Sequence, residues 1–271
     1  MREVMSYAIH EVEPYINWLY FYHAWQMGNK TREGRGELHD DAMAMLRDFD
    51  REYATHAVVG IYEANSEGDD IIVGGLRMPM LRQQTPDPAV GACLSLADFV
   101  RPASTGIADR IGVFAATVDM MMENSHDDDP YARMLAQTLA DRLAEATAEK
   151  VHQEVRTRLW GYAPDEHLTI DEMHAEAFQG IRPAVGYPSV PATSLNFIID
   201  RLVDIGEIGI RLTEHGAMRP HASVSGLMIA HPEARYFNIG KIGDDQLHDY
   251  AMRRGVPLEL ARKFLSTSIM R

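Results

Sequence analysis

Apolar residues recur at helical spacing in some stretches of this chain and run on without interruption in others. Between residues 36 and 53, Leu38, Met43, Met45, Leu46 and Phe49 stand among acidic neighbours, which predicts an amphipathic helix. The strongest helical pattern covers 130–160. Leu135, Leu139 and Leu143, then Val151, Val155 and Leu159, recur every four residues, with Thr147 bridging the two sets. Pro130 suits the first turn of this helix and Gly161 its end. β-Branched and aromatic residues predict a strand over 57–64, a turn at 65–70 and a return strand from 71 to 73. Further strands are expected over 93–100 and 111–118. Later in the chain the pattern predicts a helix over 193–208, strands over 222–230 and 235–242, and short helices over 244–254 and 257–266, divided at Gly255-Val256-Pro257. Residues 5–28 are crowded with rings (Tyr15, Trp18, Tyr20, Phe21, Tyr22 and Trp25) and are expected to pack into the body of the protein.

Helices and strands do not alternate regularly in this order. The expected class is therefore α+β with a largely antiparallel sheet. No internal repeat, low-complexity tract or linker divides the chain, so residues 1–271 read as one domain. Apolar residues make up 46% and charged residues 24%, an ordinary globular composition that does not suggest disorder. With 26 basic and 40 acidic residues the formal charge is −14, which argues against nucleic-acid partners and anionic membrane surfaces. Cys93 is the one cysteine, so neither an intramolecular disulfide nor a thiolate zinc site is expected. A reducing, cytoplasmic setting follows as an expectation, since no signal-peptide pattern or membrane-length apolar run is present. Asn29-Lys30-Thr31 fits a glycosylation sequon and is expected to be a chance match.

Common catalytic signatures are missing. No Gly-x-Gly-x-x-Gly follows a strand, and Gly28-Asn29-Lys30-Thr31 lacks the glycine that should precede the lysine of a phosphate loop. There is no His-Glu-x-x-His and no Gly-x-Ser-x-Gly. The 12 histidines are scattered without ligand spacing, and His126-Asp127-Asp128-Asp129 reads as a solvated loop capping the next helix. Asp141 and Glu145 project from one face of the long helix, where like charges at this spacing oppose the helix unless a ligand, a partner or Arg142 balances them.

Arg182-Pro183-Ala184-Val185-Gly186-Tyr187-Pro188 resembles the Arg-Pro-Ala-x-Gly-Tyr-Pro signature of the activation domain of cobalamin-dependent methionine synthase. Other blocks agree in order. They are Tyr15-Ile16-Asn17-Trp18 with Phe21 and Trp25, Leu81-Arg82-Gln83-Gln84, Leu96-Ala97-Asp98-Phe99-Val100, Ala140-Asp141-Arg142-Leu143-Ala144-Glu145-Ala146, Trp160-Gly161-Tyr162-Ala163-Pro164, Ala222-Ser223-Val224-Ser225-Gly226 and His231-Pro232. The resemblance runs over nearly the whole chain.

It implies a C-shaped α+β domain with a twisted antiparallel sheet and flanking helices. The implied ligand is S-adenosylmethionine in a shallow groove. The implied task is reductive reactivation, in which cob(II)alamin on a methionine synthase regains a methyl group with an electron from a flavodoxin-like donor. The cobalamin is expected on a partner chain. The corrinoid motif Asp-x-His-x-x-Gly is begun by Asp165-Glu166-His167 but carries Ile170 at the glycine position, and the domain here stands without the other synthase modules. Two other roles stay open, a regulator that binds S-adenosylmethionine without turnover and a reactivator of another corrinoid methyltransferase.

The resemblance assigns Arg182 to the ligand carboxylate, for which a guanidinium offers a planar fork. It makes Glu145 and Glu176 acceptors for the ammonium or sugar hydroxyls, and lays Tyr187 against the ligand, where a π face also suits a sulfonium. Tyr236 and Phe237 are implied to touch the adenosyl part, and Ala184 and Gly186 to offer backbone groups. Asn17 stands where the family has Asp and keeps an acceptor while losing a charge. Ser189-Val190-Pro191-Ala192-Thr193 replaces a run that has Cys and His in the family, and the stretch between Val118 and His126 is shorter. The face carrying Asp141 is the expected docking side for the corrinoid module.

Overall fold

Residues Asp109–Val118 are apolar on both sides because both faces of the strand they form are covered. In the computed structural model, which describes residues 1–28, 30–31, 33–126 and 128–270, Ile111, Val113 and Ala115 enter one core and Phe114, Ala116 and Val118 another. The strands are β1 (Arg2–Ala8), β2 (Ala54–Glu67), β3 (Asp70–Val73), β4 (Leu76–Pro79), β5 (Asp109–Val118), β6 (Arg211–Leu212), β7 (Met218–Arg219) and β8 (Ser223–Met228). Six of them make one sheet in the order β4-β3-β2-β5-β8, with β1 also on β2, and β6 and β7 form a separate ribbon. Every pairing is antiparallel. β2 is 14 residues long, so one of its edges serves both β1 and β3 while the other carries β5.

The helices are α1 (Ile9–Val12), α2 (Trp18–Ala24), α3 (Gly36–Glu52), α4 (Met120–Glu123), α5 (Pro130–Glu154), α6 (Ile170–His174), α7 (Asn196–Val203), α8 (Asp244–Arg254) and α9 (Leu258–Phe264). The first core lies between the sheet and α7, α8 and α9; the second lies between the sheet and the N-terminal segment, α3 and α5. The fold is α+β, with helices flanking an antiparallel sheet, as the sequence pattern predicts. No helix among the described residues is long and apolar enough to cross a membrane.

α5 positions the site described below. Asp129 caps it by accepting from the Tyr131 and Ala132 N–H groups, and Pro130 occupies its first turn. Asp127, in the same acidic run, lies outside the described residues, as does Asn29 of the sequon. Ala136, Ala140, Ala144 and Ala148 are buried, and such small side chains let the helix backbone come close to β5, β2 and β8. A wider helical turn over Val155–Leu159 prolongs α5, so the expected span of 130–160 holds.

Some expected elements are corrected. Residues 93–100 are no strand: Ser95 and Asp98 form a capping box around a tight turn, Leu96–Phe99, in which the Ser95 N–H donates to the Asp98 carboxylate at 2.9 Å. Residues 235–242 form no strand: Gly240 turns left-handed at φ 73°, the Ile239 N–H donates to the Pro188 carbonyl, the Gln83 amide to the Asn238 carbonyl, and Ile242 makes one isolated bridge with Ile269. The helix expected over 193–208 is broken, because Asp204 turns left-handed after α7, at φ 52°. Of residues 5–28, the first few complete β1, an edge strand whose Met5 and Tyr7 are buried.

Candidate functional site

Residues 181–185 run along the free edge of β8. The Ile181 and Ile229 backbones exchange two hydrogen bonds of 2.9 Å, the Leu227 N–H donates to the Pro183 carbonyl at 3.0 Å, and the Val185 N–H to the Ser225 carbonyl at 2.8 Å. Side chains therefore alternate, with Ile181 and Val185 entering the α7 core and Arg182 turning toward α5. This close pairing needs Gly226. A Cβ there would lie 2.2 Å from the Pro183 carbonyl oxygen and 2.9 Å from the Ala184 Cα, both backbone atoms that cannot step aside. Gly226→Ala is expected to push this segment off β8 and cost about 1–3 kcal/mol. Urea unfolding measures it, and unchanged stability would contradict the close approach.

Arg182 meets a row of carboxylates on α5. Its guanidinium pairs with Glu149 at 3.0 Å and with Glu145 at 3.9 Å, and lies 5.6 Å from the centre of the Phe114 ring. Burial works against the cation, but Glu149 and Glu145 outweigh it and hold its pKa above the ordinary value. Tyr187 donates its hydroxyl to Glu145. Burial, and then the Glu145 charge, push the Tyr187 phenol above its usual range.

Three more segments close the groove. Tyr236 accepts the Arg182 backbone N–H on its hydroxyl at 2.9 Å, and Phe237 is tied to the 187–189 turn by the Ser189 hydroxyl, which donates to its carbonyl at 2.6 Å. The α6 segment brings His174, Glu176 and Phe178. Glu176 sits in a left-handed conformation, at φ 56°. Its carboxyl is pushed up by burial and then by the nearby Glu149. Phe178 is held from behind. The Arg156 guanidinium lies 4.2 Å from its centre and the His152 ring meets it edge to face at 4.9 Å. His152 is fully buried and kept neutral, mainly by that burial. From the N-terminal segment come Tyr15, Asn17 and Tyr20. Asn17 caps α2, its Oδ1 accepting the Leu19 N–H at 3.2 Å.

Together these segments enclose about 680 Å³. Of the residues that the sequence singles out, Asn17, Glu145, Glu176, Arg182, Ala184, Tyr187, Tyr236 and Phe237 all line this one groove. Gly186 does not. It turns at φ 91°, and its N–H is used by the Val190 carbonyl, so it shapes the turn that presents Tyr187. Asp141 faces His221 at 3.5 Å, outside the groove. Sequence reading passed over Glu149, His174 and Phe178. Glu149 carries a usable signal, because it lies one turn beyond Glu145 on the same helix face. Among the described residues no group of His, Cys, Asp and Glu gathers that could hold a metal ion.

The charged side chains of the groove include three carboxylates, Glu145, Glu149 and Glu176, against two guanidiniums, Arg142 and Arg182. That balance suits a small ligand with a carboxylate of its own and an excess of positive charge. The aromatic walls suit a flat ring, and the volume is that of a site for a ligand of drug-like size.

The model of the family described as vitamin B12 dependent methionine synthase, activation domain, matches residues 8–255. A solved crystal structure of the MetH reactivation domain bound to AdoHcy is 35% identical to this chain; the alignment covers 100% of this chain and 91% of the other, with a TM-score of 0.92.

Proposed function

The chain belongs to the vitamin B12 dependent methionine synthase activation-domain family, and from that membership we propose that its groove binds S-adenosylmethionine for the reductive reactivation of a cobalamin-dependent methionine synthase in the cytoplasm. The observation that carries the reading is the buried Arg182 on the groove floor, flanked by Glu149 and Glu145 and walled by Tyr187, Tyr236 and Phe237. Each part of S-adenosylmethionine has a counterpart. Its carboxylate takes Arg182. The carboxylates in excess favour its net positive charge, and a cation also relieves the repulsion between Glu149 and Glu176. Tyr187, half exposed at the rim, offers a π face to the sulfonium. Tyr236 and Phe237 form the wall for the adenosyl part, and the Ala184 backbone its floor.

Bound there, S-adenosylmethionine would supply a methyl group to a cobalamin reduced by one electron from a flavodoxin-like donor, its sulfur–methyl bond breaking and S-adenosylhomocysteine leaving. The chain's own work is positioning: orientation of a bound reactant contributes about 7–11 kcal/mol in favourable systems. No side chain is asked to act as a general base. The corrinoid comes from a cobalamin-binding methionine synthase module outside these 271 residues, which docks over the open groove.

Calorimetric titration of the chain with S-adenosylmethionine is the direct test. Saturable one-to-one binding is expected, followed by methylation of a reduced cobalamin-binding synthase module, read from its absorbance. No heat at millimolar ligand would overturn the binding assignment. Binding without methyl transfer would leave a regulator in place of a reactivator.

A further inference from the structure

Leu81-Arg82-Gln83-Gln84 is one of the blocks that carry the resemblance, yet none of its residues lines the groove. Its polar groups reach instead to the C-terminal segment that supplies the Tyr236, Phe237 and Asn238 wall. That wall belongs to no strand, so its backbone groups depend on separate partners. Gln83 is buried and is one of them. Its Nε2 donates to the Asn238 carbonyl at 2.9 Å. Its Oε1 accepts the Leu94 N–H at 2.9 Å, and its own N–H donates to the Leu94 carbonyl at 2.9 Å, so the amide is fixed before it meets the wall. Arg82 fixes the block as a whole. Its guanidinium bonds to Asp69 and Asp98 at 2.8 Å, and its backbone exchanges hydrogen bonds of 2.7 and 2.8 Å with the Gln246 amide. Gln84 has a different target. It accepts the Gly243 N–H and donates to Asp245 at 3.1 Å, beyond the left-handed turn at Gly240.

Resting on the S-adenosylmethionine reading, we propose that Gln83 is a positioning residue for the adenosyl part of the ligand. It acts through the Asn238 carbonyl, which sets where the Tyr236 and Phe237 rings stand across the groove from α5. Two other ties, from the Ser189 hydroxyl to the Phe237 carbonyl and from the Ile239 N–H to the Pro188 carbonyl, join the wall to the turn that presents Tyr187. Gln83 joins it to the segment after β4 instead. Phe237 and Ile239 are buried, but apolar packing has no preferred direction, whereas an N–H donor on a carbonyl fixes both a distance and an angle.

The test compares two ligands on three proteins by calorimetry, with urea unfolding alongside. S-adenosylhomocysteine and S-ribosylhomocysteine share the amino-acid tail and the sugar and differ in the base. The wild-type chain is expected to prefer S-adenosylhomocysteine by roughly 10- to 100-fold, the range of a base stacked on aromatic rings. Gln83→Met keeps the length of the side chain and removes the donor. It should shrink that preference by about fivefold, the worth of one hydrogen bond, and leave the base-free ligand nearly unchanged. Gln84→Met removes a neighbouring amide that does not reach the wall, and should keep the wild-type preference. If Gln83 is only a brace of the fold, Gln83→Met lowers the urea midpoint while the preference survives, which overturns the proposal. An equal loss of preference in Gln84→Met also overturns it. If the wild-type chain binds neither ligand, the parent reading fails first. Should Gln83→Met not fold, Gln83→Asn, which withdraws the amide by one methylene, takes its place with the same expected loss of preference.

Discussion

Replacing Arg182 with Ala is expected to weaken S-adenosylmethionine binding by about 100-fold or more, since losing one partner of a desolvated, hydrogen-bonded charge pair costs about 2–5 kcal/mol. Two effects add here. The ligand carboxylate loses its fork, and Glu149 and Glu145, which face Arg182 at 3.0 and 3.9 Å, are left to repel that carboxylate. The same deletion strands Glu149 with little solvent, so the fold should also lose about 3 kcal/mol. Arg182→Lys separates the two effects. An ammonium at this position still balances Glu149 and spares most of the stability, but it cannot present two parallel N–H groups to a carboxylate. Calorimetry and urea unfolding on both variants give the result. Arg182→Ala binding within a few-fold of wild type would remove Arg182 from the ligand's contacts.

Where the sequence was legible, one periodicity dominated. The leucines of α5 and the covered apolar run of β5 announce their elements because each buries a whole face or two whole faces. Residues 93–100 and 235–242 also bury apolar side chains, Leu94, Leu96, Phe237 and Ile239 among them, but burial there is met without a ladder. In the first, the Ser95 and Asp98 side chains take the backbone donors that a strand would need. In the second, Pro188 and Gln83 supply isolated partners. A hydrophobic pattern records that a residue is buried, not which backbone satisfies it. The groove was legible for a different reason. Arg182, Ala184 and Tyr187 sit in one short signature, and Glu145 in a second, so resemblance located them without geometry. Glu149 escaped because its meaning depends on Arg182, which lies 33 residues away in sequence and is brought to α5 by the pairing of 181–185 with β8. The signature also holds Gly186, whose positive φ makes the turn that presents Tyr187, a role that depends on backbone geometry rather than on residue spacing.

Behind the groove, Glu166→Ala is expected to destabilise the chain by about 3–5 kcal/mol, a large part of the roughly 5–15 kcal/mol that holds a typical domain together. Arg156 is fully buried, and Glu166 answers it with both oxygens at 2.8 to 3.0 Å. Removing the carboxylate leaves a guanidinium with neither water nor an anion. The midpoint of thermal unfolding should fall by about 10 °C, at about 2–4 °C for each kcal/mol in a chain of this size. Arg156→Met with Glu166→Leu should regain most of the loss, because a packed apolar pair costs little where a lone charge costs much. The double variant also isolates what the pair does for the groove. Arg156 lies 4.2 Å from the centre of the Phe178 ring, and Phe178 lines the groove beside Glu176. If the cation helps to hold that ring, the double variant recovers its stability yet still binds S-adenosylmethionine several-fold more weakly. A double variant that recovers both would make the ion pair a structural tie between α5 and the 160–168 loop and nothing more. An unchanged unfolding midpoint in Glu166→Ala would show that Arg156 does not depend on Glu166 for its charge balance.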